Sequence, residues 1–106
     1  QYIDEEDISK VVEVLKGDYL TTGPYVKNFE ESLAKKVGAK YAVAVTSGTA
    51  ALHCAVLAAG ISKGDEVLVT PMTFAASANC ILYVGATPVF VDIEENTGNI
   101  DVSKIE

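Results

Sequence analysis

Ile8, Val11, Val12 and Leu15 recur at the three- and four-residue spacing of one helix face, behind an acidic start of Asp4, Glu5, Glu6 and Asp7. Asp4 is the expected N-cap, the acids suit the positive end of a helix dipole, and Gly17 ends the run. Asp18 to Gly23 reads as a loop. Pro24 opens a second helix where its missing N–H costs nothing; Val26, Phe29, Leu33 and Val37 line one face of it, and Gly38 stops it. The period then changes. Tyr41-Ala42-Val43-Ala44-Val45 is short and almost wholly apolar, the pattern of a buried strand. It runs through Thr46-Ser47-Gly48-Thr49 into a third helix, Ala50 to Ala59, ended by Gly60. Glu66 to Val69 predicts a second strand stopped by Pro71, about Phe74 to Tyr83 a fourth helix ended by Gly85, and Pro88 to Val91 a third strand. Short apolar strands alternating with helices predict a doubly wound α/β fold, its mainly parallel sheet covered on both faces and its crossovers right-handed.

The tail adds to this. Asp101 reads as an N-cap, and Val102 to Glu106 start a helix with no room to finish, while three parallel strands leave open edges on both sides. The expectation is that residues 1–106 are a portion of a longer domain, against the alternative of a small independent domain with a frayed tail. At 106 residues the chain is one domain's worth at most, and 49% hydrophobic residues exclude intrinsic disorder. Fifteen acidic residues against 8 basic ones give a net charge of −7, which argues against nucleic acid or an anionic membrane as the partner. All the basic residues are lysines, so no guanidinium clamp for a phosphate or carboxylate is available. No apolar run approaches the roughly 20 residues of a membrane helix. Gln1 to Glu6 has neither the basic nor the apolar region of a signal peptide. Cys54 and Cys80 sit in apolar company at a spacing that suits neither a disulfide framework nor a metal half-site. They read as reduced core thiols in a cytoplasmic protein.

The strongest local signal for chemistry is Ser47-Gly48-Thr49. The first N–H groups of a helix have no intrahelical partner, and the dipole makes that end electropositive. Gly48 lets a ligand come close to the backbone, and the hydroxyls of Ser47 and Thr49 add hydrogen bonds, so an anion site needs no cationic side chain here. An ordinary N-cap has the same pattern. Phe74 follows the second predicted strand on the carboxyl-end edge where ligands bind in open α/β sheets. It offers either a flat face to a bound ring or a core side chain opening a helix. His53 lies one turn below Thr49 and reads as structural, and Asp92 reads as a solvated carboxylate ending the third strand.

Several segments occur together in order: Leu20-Thr21-Thr22-Gly23-Pro24, Phe29-Glu30, Gly38 through Val45, Thr46-Ser47-Gly48-Thr49-Ala50-Ala51-Leu52, Gly64-Asp65-Glu66-Val67, Pro71 through Asn79, Gly85 through Asp92, and Asn99-Ile100-Asp101. Taken together the chain resembles the N-terminal part of the nucleotide-sugar aminotransferases of the DegT/StrS family, which depend on pyridoxal phosphate (PLP). The resemblance implies the large domain of the PLP-dependent transferase fold, like that of aspartate aminotransferase, with residues 1–106 as its N-terminal portion. It implies transfer of an amino group, usually from glutamate, to a keto-sugar carried on a nucleotide, for surface polysaccharides or amino sugars, by a homodimer. It places Ser47, Gly48 and Thr49 on the cofactor phosphate, Phe74 on the pyridine ring, and Asp18, Tyr19, Leu20 and Thr21 on the sugar-nucleotide substrate.

The family's Schiff-base Lys and the Asp that pairs with the pyridine nitrogen lie downstream of Glu106. No Lys here matches the former, and Asp92 is not the latter. No catalytic residue and no metal ligand is therefore assigned, and these residues alone are expected to be inactive. Some members carry His in place of that Lys and dehydrate deoxy sugars, and a non-catalytic PLP- or nucleotide-binding regulatory module is the alternative from another class.

Overall fold

The computed structural model describes residues 1–105, and the chain falls into two compact units, Gln1–Ala44 and Val45 onward. In the first unit, helix α1 spans Glu5–Lys16 and α2 spans Pro24–Val37. The start of α1 is a reciprocal cap. The Asp4 carboxylate accepts from the N–H groups of Glu6 at 2.9 Å and Asp7 at 3.1 Å, and the Asp7 carboxylate accepts from the Asp4 N–H at 3.2 Å. Pro24 stands in the first turn of α2. Gly38 closes that helix in the left-handed conformation, φ 70°, its N–H reaching back to Lys35 O at 3.4 Å while the Ala39 N–H bonds Ala34 O at 2.9 Å. Both helices therefore start and stop where the local chemistry dictates.

Residues 41–45 depart from the expectation of a strand. Among the described residues they pair with no other strand. The Ala44 N–H instead donates to a Glu30 carboxylate oxygen at 2.8 Å, and Val43 is 79% exposed. An apolar run makes the chain extended, but a strand also needs a partner's ladder of N–H and C=O groups.

The second unit holds α3 (Gly48–Ala58), β1 (Glu66–Val69), α4 (Ala76–Tyr83) and β2 (Thr87–Phe90). The two strands are parallel, paired Glu66 with Thr87 through Val69 with Phe90, and the ladder continues in the Thr87 N–H to Asp65 O and Val91 N–H to Val69 O bonds. The sheet is thus parallel and helix-connected as expected, with two strands rather than three among the described residues. Its core is Val69, Cys80, Ile81 and Ala86, flanked by Val56, Ile61, Val67, Ala78 and Val84; Ile81 is the most completely buried, at 2%. Cys54 is exposed, so of the two expected core thiols only Cys80 is one, and both are free.

After β2, Ile93 bridges Ile100 in antiparallel fashion, and the described part of the expected terminal helix is a short 3-10 turn, Val102–Lys104, capped by the Asp101 carboxylate; Glu106 lies outside the described residues. No helix among the described residues is long and apolar enough to cross a membrane.

Candidate functional site

Ser47 caps α3. Its backbone is extended, and its Oγ accepts from the Ala50 N–H at 3.1 Å while its carbonyl takes the Ala51 N–H at 3.0 Å. This leaves the N–H groups of Gly48 and Thr49 without a protein acceptor among the described residues. A Cβ built on Gly48 would meet nothing within 4 Å, so the space beside the Gly48 Cα is open among the described residues. The Ser47 hydroxyl accepts one bond as a cap and keeps its own proton for another. Donors without acceptors, open space and the positive end of a helix fit a phosphate group. The ordinary-cap reading is also realised, in the Ser47 to Ala50 bond, and the two uses are compatible.

Phe74 stands between the carboxyl end of β1 and the start of α4 and is 76% exposed, so within this chain it is not a core side chain. The expected helix start at Phe74 shifts to Ala76. The turn ahead of it is built from the Phe74 carbonyl, which takes the Ser77 N–H at 3.0 Å, and from a 2.8 Å hydrogen bond between the Thr73 and Ser77 hydroxyls. His53 of α3 meets Tyr83 of α4 edge-on at 5.2 Å, an aromatic packing contact that joins the two helices.

Asp92 is exposed. The Ile93 N–H, and then Lys104 at 3.1 Å, hold its carboxyl below the usual range, which is the solvated strand-end carboxylate expected from the sequence.

Asp18, Tyr19, Leu20 and Thr21 belong to the first unit, where they form the exposed turn between α1 and α2. That turn is tightly wound. Thr22 has φ +50°, a left-handed conformation that costs a non-glycine residue roughly 1 kcal/mol. A Cβ on Gly23 would lie 2.7 Å from the Tyr19 Cβ, so only glycine fits against Tyr19.

A polar cluster without a local sequence signal lies beneath this turn. The Tyr25 hydroxyl donates to Glu13 Oε1 at 2.6 Å, and Lys10 Nζ lies 2.9 Å from Glu13 Oε2. The hydrogen bond from Tyr25, then that from Lys10, draws the Glu13 carboxyl below its ordinary range. The same bonds to Glu13 raise Tyr25 and Lys10 above theirs. Glu13 and Tyr25 are 12 positions apart, and neither carries a local signal for the pairing. Glu30, noted only as part of Phe29-Glu30, is the residue that ties Ala44 to α2.

The family model for the DegT/DnrJ/EryC1/StrS aminotransferase family matches residues 1–106. The chain is 54% identical over 104 residues to the spore coat polysaccharide biosynthesis protein SpsC of Bacillus subtilis, covering 98% of this chain and 27% of that protein. It is 44% identical over 104 residues to the UDP-4-amino-4-deoxy-L-arabinose–oxoglutarate aminotransferase of Shewanella sediminis, again 98% of this chain and 27% of the other. The GDP-4-keto-6-deoxy-D-mannose-3-dehydratase of E. coli, solved with bound hydrated PLP, superposes with a TM-score of 0.89 at 33% identity, over 97% of this chain and 28% of that one. The chain therefore spans about a quarter of the length of the relatives it matches.

Proposed function

The chain belongs to the DegT/DnrJ/EryC1/StrS aminotransferase family, and on that premise we propose that it carries part of the cofactor and substrate pockets of a PLP-dependent sugar aminotransferase. In this reading residues 1–106 are the N-terminal portion of the large, PLP-binding domain. The enzyme moves an amino group from glutamate to a keto-sugar linked to a nucleotide, in surface polysaccharide or amino-sugar synthesis. It works as a homodimer in the cytoplasm, a setting that the free thiols of Cys54 and Cys80 suit.

The observation that carries the reading is the start of α3, where the Gly48 and Thr49 N–H groups have no protein acceptor among the described residues and space is open beside Gly48. These groups and the Ser47 hydroxyl donate to the cofactor phosphate, which needs no cationic side chain because the helix end supplies the field. Phe74 covers a face of the pyridine ring and holds its plane. Bound PLP supplies the electron sink that lets an amino group and a carbonyl exchange places. Asp18 to Thr21 contact the sugar nucleotide from a turn whose backbone is already set by Thr22 and Gly23.

The likeness to a PLP-bearing dehydratase favours a second reading, loss of water from a deoxy sugar at the same cofactor site. One experiment separates the two. The whole protein is incubated with PLP, glutamate and UDP- or GDP-linked 4-keto-sugars, and the products are read by mass spectrometry. Amino-sugar nucleotide formed together with 2-oxoglutarate is the expected result. A product that has lost a ring hydroxyl and gained no nitrogen establishes the dehydratase, and failure to bind PLP overturns both.

A further inference from the structure

The hydrogen bond between Tyr25 and Glu13 ties the last turns of α1 to the first turn of α2, directly below the Gly17–Gly23 turn. Both carboxylate oxygens of Glu13 are engaged, one by the Tyr25 hydroxyl at 2.6 Å and one by Lys10 at 2.9 Å, so the acceptor is held from two sides. A cleft of about 260 Å³ opens beside the pair, with Glu13, Val14, Asp18, Tyr19 and Tyr25 among its lining. Above it, the side chains of Tyr19 and Leu20 are about two-thirds exposed, so packing does little to hold them. What holds the turn is its frame: the Gly17 N–H bonded to Val14 O at 3.0 Å, left-handed Thr22, Gly23 against Tyr19, and the Glu13–Tyr25 bond across the base. A cross-link at the base of an exposed loop removes loop conformations before any ligand arrives, and a preset loop binds more tightly than one that must be ordered.

We propose that Glu13 and Tyr25 are a positioning pair, closing the base of the Gly17–Gly23 turn so that Asp18 to Thr21 are preset for the nucleotide-linked sugar. The inference rests on the reading that this turn touches the substrate. The pair itself touches neither substrate nor cofactor. Its loss acts on substrate binding and leaves the chemical step alone, because the ordering cost is met on binding.

The test uses the whole protein with Tyr25→Phe, Glu13→Ala, Glu13→Gln and, as a variant of the turn itself, Thr21→Ala. Tyr25→Phe keeps the ring and deletes only the donor. Amide hydrogen exchange over residues 18–23 reports on the turn. KM and kcat are measured with whichever UDP- or GDP-linked 4-keto-sugar the wild type turns over. Tyr25→Phe is expected to speed exchange several-fold and to raise KM for the sugar about 3- to 10-fold, the range of one net hydrogen bond, with kcat within about twofold. Glu13→Ala should match it, and Glu13→Gln, whose amide oxygen still accepts the Tyr25 hydroxyl, should recover most of the loss. Unchanged exchange in Tyr25→Phe overturns the proposal. So does faster exchange with an unchanged KM while Thr21→Ala raises KM, because the turn then meets substrate without needing the pair. Faster exchange with KM unmoved in both Tyr25→Phe and Thr21→Ala refutes the substrate role of the turn, and the positioning role falls with it.

Discussion

Truncating Phe74 to alanine separates a cofactor-facing aromatic from a structural one. The residue is 76% exposed, so about a quarter of it is covered. Taking a large aromatic side chain as about 200 Å², some 50 Å² of apolar surface is withdrawn from water here, worth about 1 kcal/mol at roughly 25 cal/mol per Å². A buried Phe would cost roughly 3–5 kcal/mol on truncation. On the cofactor side, a stacked ring contributes about 0.5–1.5 kcal/mol beyond its buried area, and about 1.4 kcal/mol is a factor of ten in affinity. Phe74→Ala in the whole protein should therefore weaken PLP retention by roughly tenfold and lower unfolding stability by less than the roughly 3–5 kcal/mol of a buried Phe. Dialysis followed by cofactor absorbance measures the first, and urea unfolding of the apoprotein the second. A variant that keeps PLP as well as wild type but loses about 3 kcal/mol or more of stability would refute the argument and place Phe74 in a core.

Ile81→Ala, at the most buried side chain, should cost about 2–5 kcal/mol in denaturant unfolding, and a loss below about 1 kcal/mol would contradict the core described for the second unit. Ser47→Ala removes the α3 cap and should cost about 1 kcal/mol of stability and weaken phosphate binding, whereas Ser47→Thr should keep both; calorimetry with PLP checks the pair. Gly38→Ala forces a Cβ into φ 70° and should lower stability by about 1 kcal/mol by thermal unfolding, with no change in cofactor affinity. Glu13 has its carboxyl lowered by Tyr25 and then Lys10, so its contribution to stability is present above the ordinary carboxylate value near 4.5 and disappears as pH falls through the lowered one. NMR titration of its carboxyl carbon should give a midpoint below 4.5, and a midpoint at or above that value would remove the bond from the account.

Local chemistry made much of this fold legible. Asp4, Gly17, Pro24 and Gly38 punctuate α1 and α2 because caps and breakers act over three or four residues, and the structure keeps those boundaries. The parallel β1 and β2 were readable from short apolar runs alternating with helical segments. Pairing over distance was not readable. Tyr41 to Val45 have the composition of a strand, but a ladder needs a partner that composition does not name, and the Ala44 N–H turns to Glu30. The exposure of Cys54 was hidden because α3, Gly-Thr-Ala-Ala-Leu-His-Cys-Ala-Val-Leu-Ala, is apolar nearly all round and shows no preferred face. In the candidate site, Ser47-Gly48-Thr49 is a local motif, and its place at the start of α3 was legible. The Glu13–Tyr25 pair joins two helices across a loop, and neither helix pattern betrays it.

In the proposed function the start of α3 holds the cofactor phosphate. A crystal structure of the whole protein grown with PLP tests it most directly. The expected result is a phosphate oxygen within about 3 Å of the Gly48 and Thr49 backbone nitrogens, the usual reach of an N–H···O bond, with the Ser47 hydroxyl as a further donor and the Phe74 ring over the pyridine. A phosphate bound elsewhere, with the Gly48 and Thr49 N–H groups facing water, would contradict the account.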